Sequence, residues 1–152
     1  MKHHVSACIV FLLMILTSCV VHQNTNNQDP TPKYNVVCRF TGADLAGLGA
    51  QIDTYIKPEG QTEFHVATYG APDNGQVEYT SIGSPPDGAE FTVLVSFREV
   101  TRSGSKRPRA TSKLTVEILV NGKVKNTLIL DNNAQFGGVD YLNTFSKFTI
   151  GL

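Results

Sequence analysis

Leu114, Val116, Ile118 and Val120 alternate with Lys113, Thr115, Glu117 and Leu119; Asn121-Gly122 follows, and Val124, Asn126, Leu128 and Leu130 resume the alternation. A period of two turns successive side chains to opposite faces of a strand, and Asn-Gly supplies the positive-φ pair of a type I′ turn. The segment is therefore constrained to a β-hairpin with one apolar face, which a second layer must cover.

The rest of the chain supplies that layer. Tyr34-Asn35-Val36-Val37-Cys38-Arg39-Phe40 reads as a strand with its even-numbered residues inward. Gln51–Ile56, Thr62–Tyr69 and Gln76–Ile82 follow at hairpin spacing, separated by the turn-forming runs Pro58-Glu59-Gly60 and Asp73-Asn74-Gly75. Phe91, Val93, Val95 and Phe97 share one face of a strand over Phe91–Arg98. A last strand is expected within Tyr141–Ile150, after an irregular Asp131–Gly138 loop. The one helical hint, Ala43–Leu48, lies among glycines that restrict it to a turn. About seven or eight short strands without a long amphipathic helix predict an all-β protein, an antiparallel, immunoglobulin-like β-sandwich. A closed barrel is disfavoured because no strand carries a polar inward face to line a channel, and no repeat of solenoid or propeller length occurs.

The amino terminus has a different character. Lys2 is followed by the apolar stretch Val5–Leu16 and then by Thr17-Ser18-Cys19. Positive start, apolar core and small residues are the order of a bacterial signal peptide, and twelve residues are too few for a spanning helix, which needs about 20. Leu16-Thr17-Ser18-Cys19 is a lipoprotein processing box. Cleavage between Ser18 and Cys19 leaves Cys19 to carry acyl chains, palmitate among them, and two or three chains at roughly 0.8 kcal/mol per buried methylene hold permanently. Residues 20–33 are polar and contain Pro30 and Pro32, which suits a flexible tether with a relaxed span of about 20 Å. The expected organisation is signal peptide 1–18, lipidated cysteine and tether 19–33, and sandwich 34–152. Val20 is not the aspartate that retains lipoproteins in an inner membrane, so outer-membrane delivery is expected.

Cysteine usage then limits how the domain is stabilised. Cys8 leaves with the signal and Cys19 becomes a thioether, so Cys38 has no partner and, in phase with Val36 and Phe40, reads as a buried thiol. The chain has 13 basic and 13 acidic residues. Net neutrality points away from nucleic acid.

Catalytic constellations are sparse. His65 stands alone in the domain on an outward strand position, no Gly-x-Ser-x-Gly elbow occurs, and no second histidine accompanies it for zinc. Glu63, Glu78 and Glu117 are the carboxylates a glycan-active enzyme would draw on, with Tyr55, Tyr69, Tyr79 and Tyr141 available to stack on sugars. Asp73-Asn74-Gly75 and Asp131-Asn132-Asn133 lack the ligand spacing of a calcium loop. No cofactor is expected.

Charge is distributed unevenly. Gly42–Glu90 contains eight acids and one base, Lys57, whereas Arg98–Lys113 contains six bases and one acid, Glu99. Within the basic segment Arg102, Lys106, Arg107 and Arg109 read as a mobile inter-strand loop suited to an anionic partner: an envelope protein, an acidic glycan or a lipid head group. A short tether would keep that loop near an anionic membrane surface.

Tyr34–Val37 ending at Thr41-Gly42, Phe91–Ser96 and Leu114–Val124 together resemble the β-sandwich domain of MmpS-type membrane-anchored transport accessory proteins, the Val-x-Ile-x-Val-Asn-Gly-Lys hairpin being the specific part. The resemblance implies a small sandwich without catalytic residues that works through protein or lipid contacts. The chain departs from that group in its basic loop at 102–109 and in lacking a serine-rich, aromatic-ended segment before the last strand. The expected function is a lipid-anchored envelope protein with a non-enzymatic binding, accessory or assembly role. The alternatives are a glycan-active enzyme and a surface adhesive or structural lipoprotein.

Overall fold

The computed structural model describes residues 34–80 and 85–151. Ser18, Cys19, the tether and the distal end of the expected Gln76–Ile82 strand lie outside the described residues. Eight strands follow one another: β1 (Val36–Ala43), β2 (Ala50–Lys57), β3 (Phe64–Gly70), β4 (Gly75–Thr80), β5 (Glu90–Thr101), β6 (Lys113–Val120), β7 (Lys123–Asp131) and β8 (Tyr141–Thr149). They form two antiparallel four-stranded sheets, in the orders β4-β1-β6-β7 and β3-β2-β5-β8. The protein is an all-β sandwich.

Each position in one sheet is matched in the other by a strand adjacent in sequence: β4 with β3, β1 with β2, β6 with β5, β7 with β8. Neighbours β2–β5 and β6–β7 also occur in the seven-stranded immunoglobulin order, but here β1 lies between β4 and β6 instead of beside β2. The Ala43–Leu48 segment is a turn. Asp44, Gly47 and Gly49 all take positive φ (50°, 73° and 63°), which no right-handed helix accommodates.

The facing strand surfaces make the core. Phe40, Phe91, Phe97, Ile52, Leu114, Ile118 and Leu130 are fully buried, and Cys38 is buried among them. The expected inward sets of β1 and β5 are therefore the core faces. β6 and β7 depart from simple alternation at their turn end. Their register shifts at Ile118/Leu119, so that Leu119 pairs with Val124 and Ile118 with Asn126, leaving Lys125 as the extra residue of a bulge. Val124, expected inward, is therefore set opposite Leu119 and is 54% exposed, while Leu119 keeps its outer-face position on β6 and is buried there outside the core cluster. A bulge changes the phase of alternation, which a strict period of two cannot anticipate.

The strand ends define two poles. Tyr34, the first residue of β1 (Val36 paired with Val120), the Asn121-Gly122 turn and the end of β8 share one pole. The end of β1 (Ala43 paired with Lys113), the end of β5 and the 102–112 connection share the other. Eight residues at about 3.3 Å each put roughly 26 Å of strand between them.

Candidate functional site

The basic loop lies at the far pole, away from Tyr34, and its cations are bonded back onto the domain and onto the loop itself. Arg107 donates through Nη1 to the carbonyls of Thr101 (3.2 Å), Gly104 (2.7 Å) and Lys106 (2.7 Å), closing the loop on itself. Lys106 Nζ donates to the Gly47 carbonyl at 2.7 Å and lies 3.7 Å from Glu99. Arg109 pairs with Asp44 at 3.0 Å, and Thr111 and Ser112 donate to the same residue, at 2.6 Å to its carboxylate and 2.7 Å to its carbonyl. Lys106, Arg107 and Arg109 thus come together around a depression of about 190 Å³ shared with Asp44, Gly47 and Leu48. Arg102 is not part of it. Its guanidinium turns to the Phe136 and Val139 carbonyls (3.2 and 3.4 Å) and stands 5.2 Å from the Phe136 ring. Turn carbonyls lacking ladder partners attract the nearest cations, which is why a run that looks free in sequence is engaged in space.

A second polar cluster, absent from the sequence-based expectations, covers the outer face of the β3-β2-β5-β8 sheet. Asp53 projects from β2 with its side chain only 5% exposed. It accepts hydrogen bonds from Arg98 (2.6 Å), Gln51 (3.0 Å) and Thr68 (2.5 Å), and His65 stands 3.7 Å away, bonded at 3.0 Å to the Thr68 hydroxyl. The Arg98 guanidinium lies 3.9 Å from the centre of the Tyr141 ring, and Tyr55 meets His65 edge-on at 5.2 Å. Burial by itself raises the Asp53 pKa. The hydrogen bonds from Thr68, Gln51 and Arg98, with the charge of Arg98, outweigh it and hold the carboxyl below its ordinary value. Beside this cluster Phe145 is 62% exposed, facing Leu94 in the register. The sequence signal was an acid and a base at outward positions of two apolar strands; only strand pairing brings them together.

The three carboxylates flagged from sequence take cross-strand partners. Glu78 on β4 and Glu117 on β6 both pair with Arg39 of the intervening β1 at 3.0 Å. Glu63 accepts from Thr92 at 3.1 Å and lies 3.9 Å from Lys147, whose Nζ is 2.7 Å from Glu90. Arg39 thus stands between Glu78 and Glu117 and neutralises part of their charge. The Asx-rich turns are held by their own side chains: Asn74 accepts from the Asp44 amide at 2.9 Å, and Asp131 from the Asn133 amide at 2.8 Å. Among the described residues no three His, Cys, Asp or Glu side chains converge as metal ligands. Burial pushes the Cys38 thiol up to about 12, so it is protonated and shielded.

At the near pole a cleft of about 390 Å³ opens between the β6–β7 turn and the end of β8. Tyr34, Val120, Val124 and Phe148 supply its apolar lining and Lys123 and Lys125 its charge. The Tyr34 hydroxyl donates to Asp87 at 3.0 Å, and burial together with that carboxylate raises the phenol pKa. Consecutive strand residues ordinarily face opposite ways; the bulge at Lys125 lets Lys123, Val124 and Lys125 border one cleft.

No family model, curated protein or solved structure matches the chain.

Proposed function

We propose that the chain is a lipid-anchored cell-envelope protein, held at the outer membrane by acyl chains on Cys19, whose sandwich works by binding in an accessory or assembly role. The observation that carries this reading is the Leu16-Thr17-Ser18-Cys19 box at the end of the Val5–Leu16 apolar stretch. Supporting it, Glu63, Glu78 and Glu117 are engaged by cations or hydroxyls, the Thr68 hydroxyl beside His65 donates its proton to Asp53, and Cys38 is buried. A tether over residues 20–33 joins the domain at Tyr34, so that pole is the one nearer the anchor along the chain. The surfaces offered to a partner are then the Lys106-Arg107-Arg109 depression and the outer face around Asp53 and Phe145.

Growth with radiolabelled palmitate tests the anchor. The wild-type protein is expected to incorporate label and to fractionate with membranes. A Cys19→Ala protein that still took up label would remove the basis of the proposal.

A further inference from the structure

From the near-pole cleft we infer that the β6–β7 turn is a membrane-contacting tip, which seats Lys123 and Lys125 on the head groups of an anionic bilayer and Val124 at the acyl boundary. The inference rests on the Cys19 anchor for its orientation and on the cleft for its chemistry. Tyr34 is both the first described residue of the domain and part of the cleft wall, so the chain leading from the anchor enters beside this tip. The cleft lining includes two lysines and no acid, Asp87 lying behind its Tyr34; neither lysine has an ion-pair partner among the described residues, whereas Lys57, Lys106 and Lys147 do and Lys113, at the far pole, does not.

The geometry of the turn supplies the rest. Asn121 and Gly122 take φ of 50° and 77°, the type I′ turn that lets the hairpin end abruptly. The bulge then places a half-exposed valine between two lysines on one cleft, rather than alternating them across the sheet. Cations at head-group depth flanking an apolar residue match the charge and polarity gradient of a bilayer surface. Lysine suits that position further because its apolar stem lies along the cleft while its ammonium reaches phosphate.

The chain contains no tryptophan, so Val124→Trp introduces a single fluorophore at an exposed site. The full-length processed protein carrying it is reconstituted in vesicles of phosphatidylglycerol and phosphatidylcholine, with acylation read by intact mass. The expected result is a blue-shifted emission quenched by brominated lipid, both reversed by adding K123E/K125E. A Ser105→Trp protein, labelled at the far pole, should stay unquenched. Solvent-like emission from V124W in acylated protein on anionic vesicles would overturn the inference. So would quenching that persists undiminished in K123E/K125E or that is equal in pure phosphatidylcholine. If the mass shows no acyl chain, the anchor reading fails on its own; V124W emission is then measured with the unacylated chain at high phosphatidylglycerol concentration, where quenching still supports the tip and its absence rejects it.

Discussion

Asp53 of β2 and Arg98 of β5 meet at 2.6 Å on the outer face of their sheet, the carboxylate 5% exposed and the guanidinium 32%. The register sets Asp53 opposite Leu94, so Arg98 does not reach it from a directly paired position; it leans along the strand, over which the Tyr141 ring lies 3.9 Å from the guanidinium carbon. A charged group on an outer face is ordinarily solvated. Here the surrounding Gln51, Thr68 and Tyr141 replace water, and the pair becomes part of the domain's structure.

Acid unfolding should report this carboxylate. Its folded pKa lies below the ordinary value of 3.8, so the stabilisation is complete above that pH and is lost as pH falls through the folded value. Asp53→Asn should flatten the fall in stability below about pH 4, measured by denaturant titrations from pH 7 downward.

Arg98→Ala leaves the buried carboxylate with only Gln51 and Thr68 as donors. The expected loss at pH 7 is about 2 kcal/mol, below the usual figure for a broken buried pair because Arg98 is partly solvated. Urea midpoints check it, and the acid transition should move to higher pH.

Cys38 should be inert in the folded protein. Moving a thiol from 9.0 to about 12 lowers its thiolate population at neutral pH about a thousandfold, and the site is sealed besides. Labelling with a thiol-disulfide reagent should track global unfolding, with no native-state burst.

Two glycines should both lose stability on change to alanine, for different reasons and by different amounts. A Cβ at Gly42 would stand 2.0 Å from the Pro72 carbonyl oxygen, so Gly42→Ala must displace backbone and should lower stability by about 3 kcal/mol. Gly122 has open space around it and only its φ of 77° to object, which predicts a loss of about 1 kcal/mol. Thermal melts of both variants separate the two causes.

Arg107→Ala should loosen the far-pole loop without unfolding the sandwich. Removing the donor to the Thr101, Gly104 and Lys106 carbonyls predicts faster amide exchange across 101–109 and a stability change within about 1 kcal/mol. Hydrogen exchange resolved by peptide checks it.

Strand content was legible because alternation is a local property. Phe91, Val93, Val95 and Phe97 declare β5 whatever they pack against, and Asn121-Gly122 declares its turn. The candidate site was less legible. Arg102, Lys106, Arg107 and Arg109 were visible as a charge run, but the acceptors of Arg102, Lys106 and Arg109, among them Phe136, Gly47 and Asp44, come from other connections. Asp53 and Arg98, 45 residues apart, carry no local mark of their meeting.

By itself, then, the amino-acid order determined that this domain is a β-sandwich and that Cys38 is interior, since periodicity and turn chemistry act over a few neighbouring residues. Tertiary structure alone decided which strands pair, where the Lys125 bulge shifts the register, and that the basic loop and Tyr34 stand at opposite poles. Those outcomes depend on contacts between distant segments. Their selection follows from which strand faces can be buried together, a condition that no short stretch of chain contains.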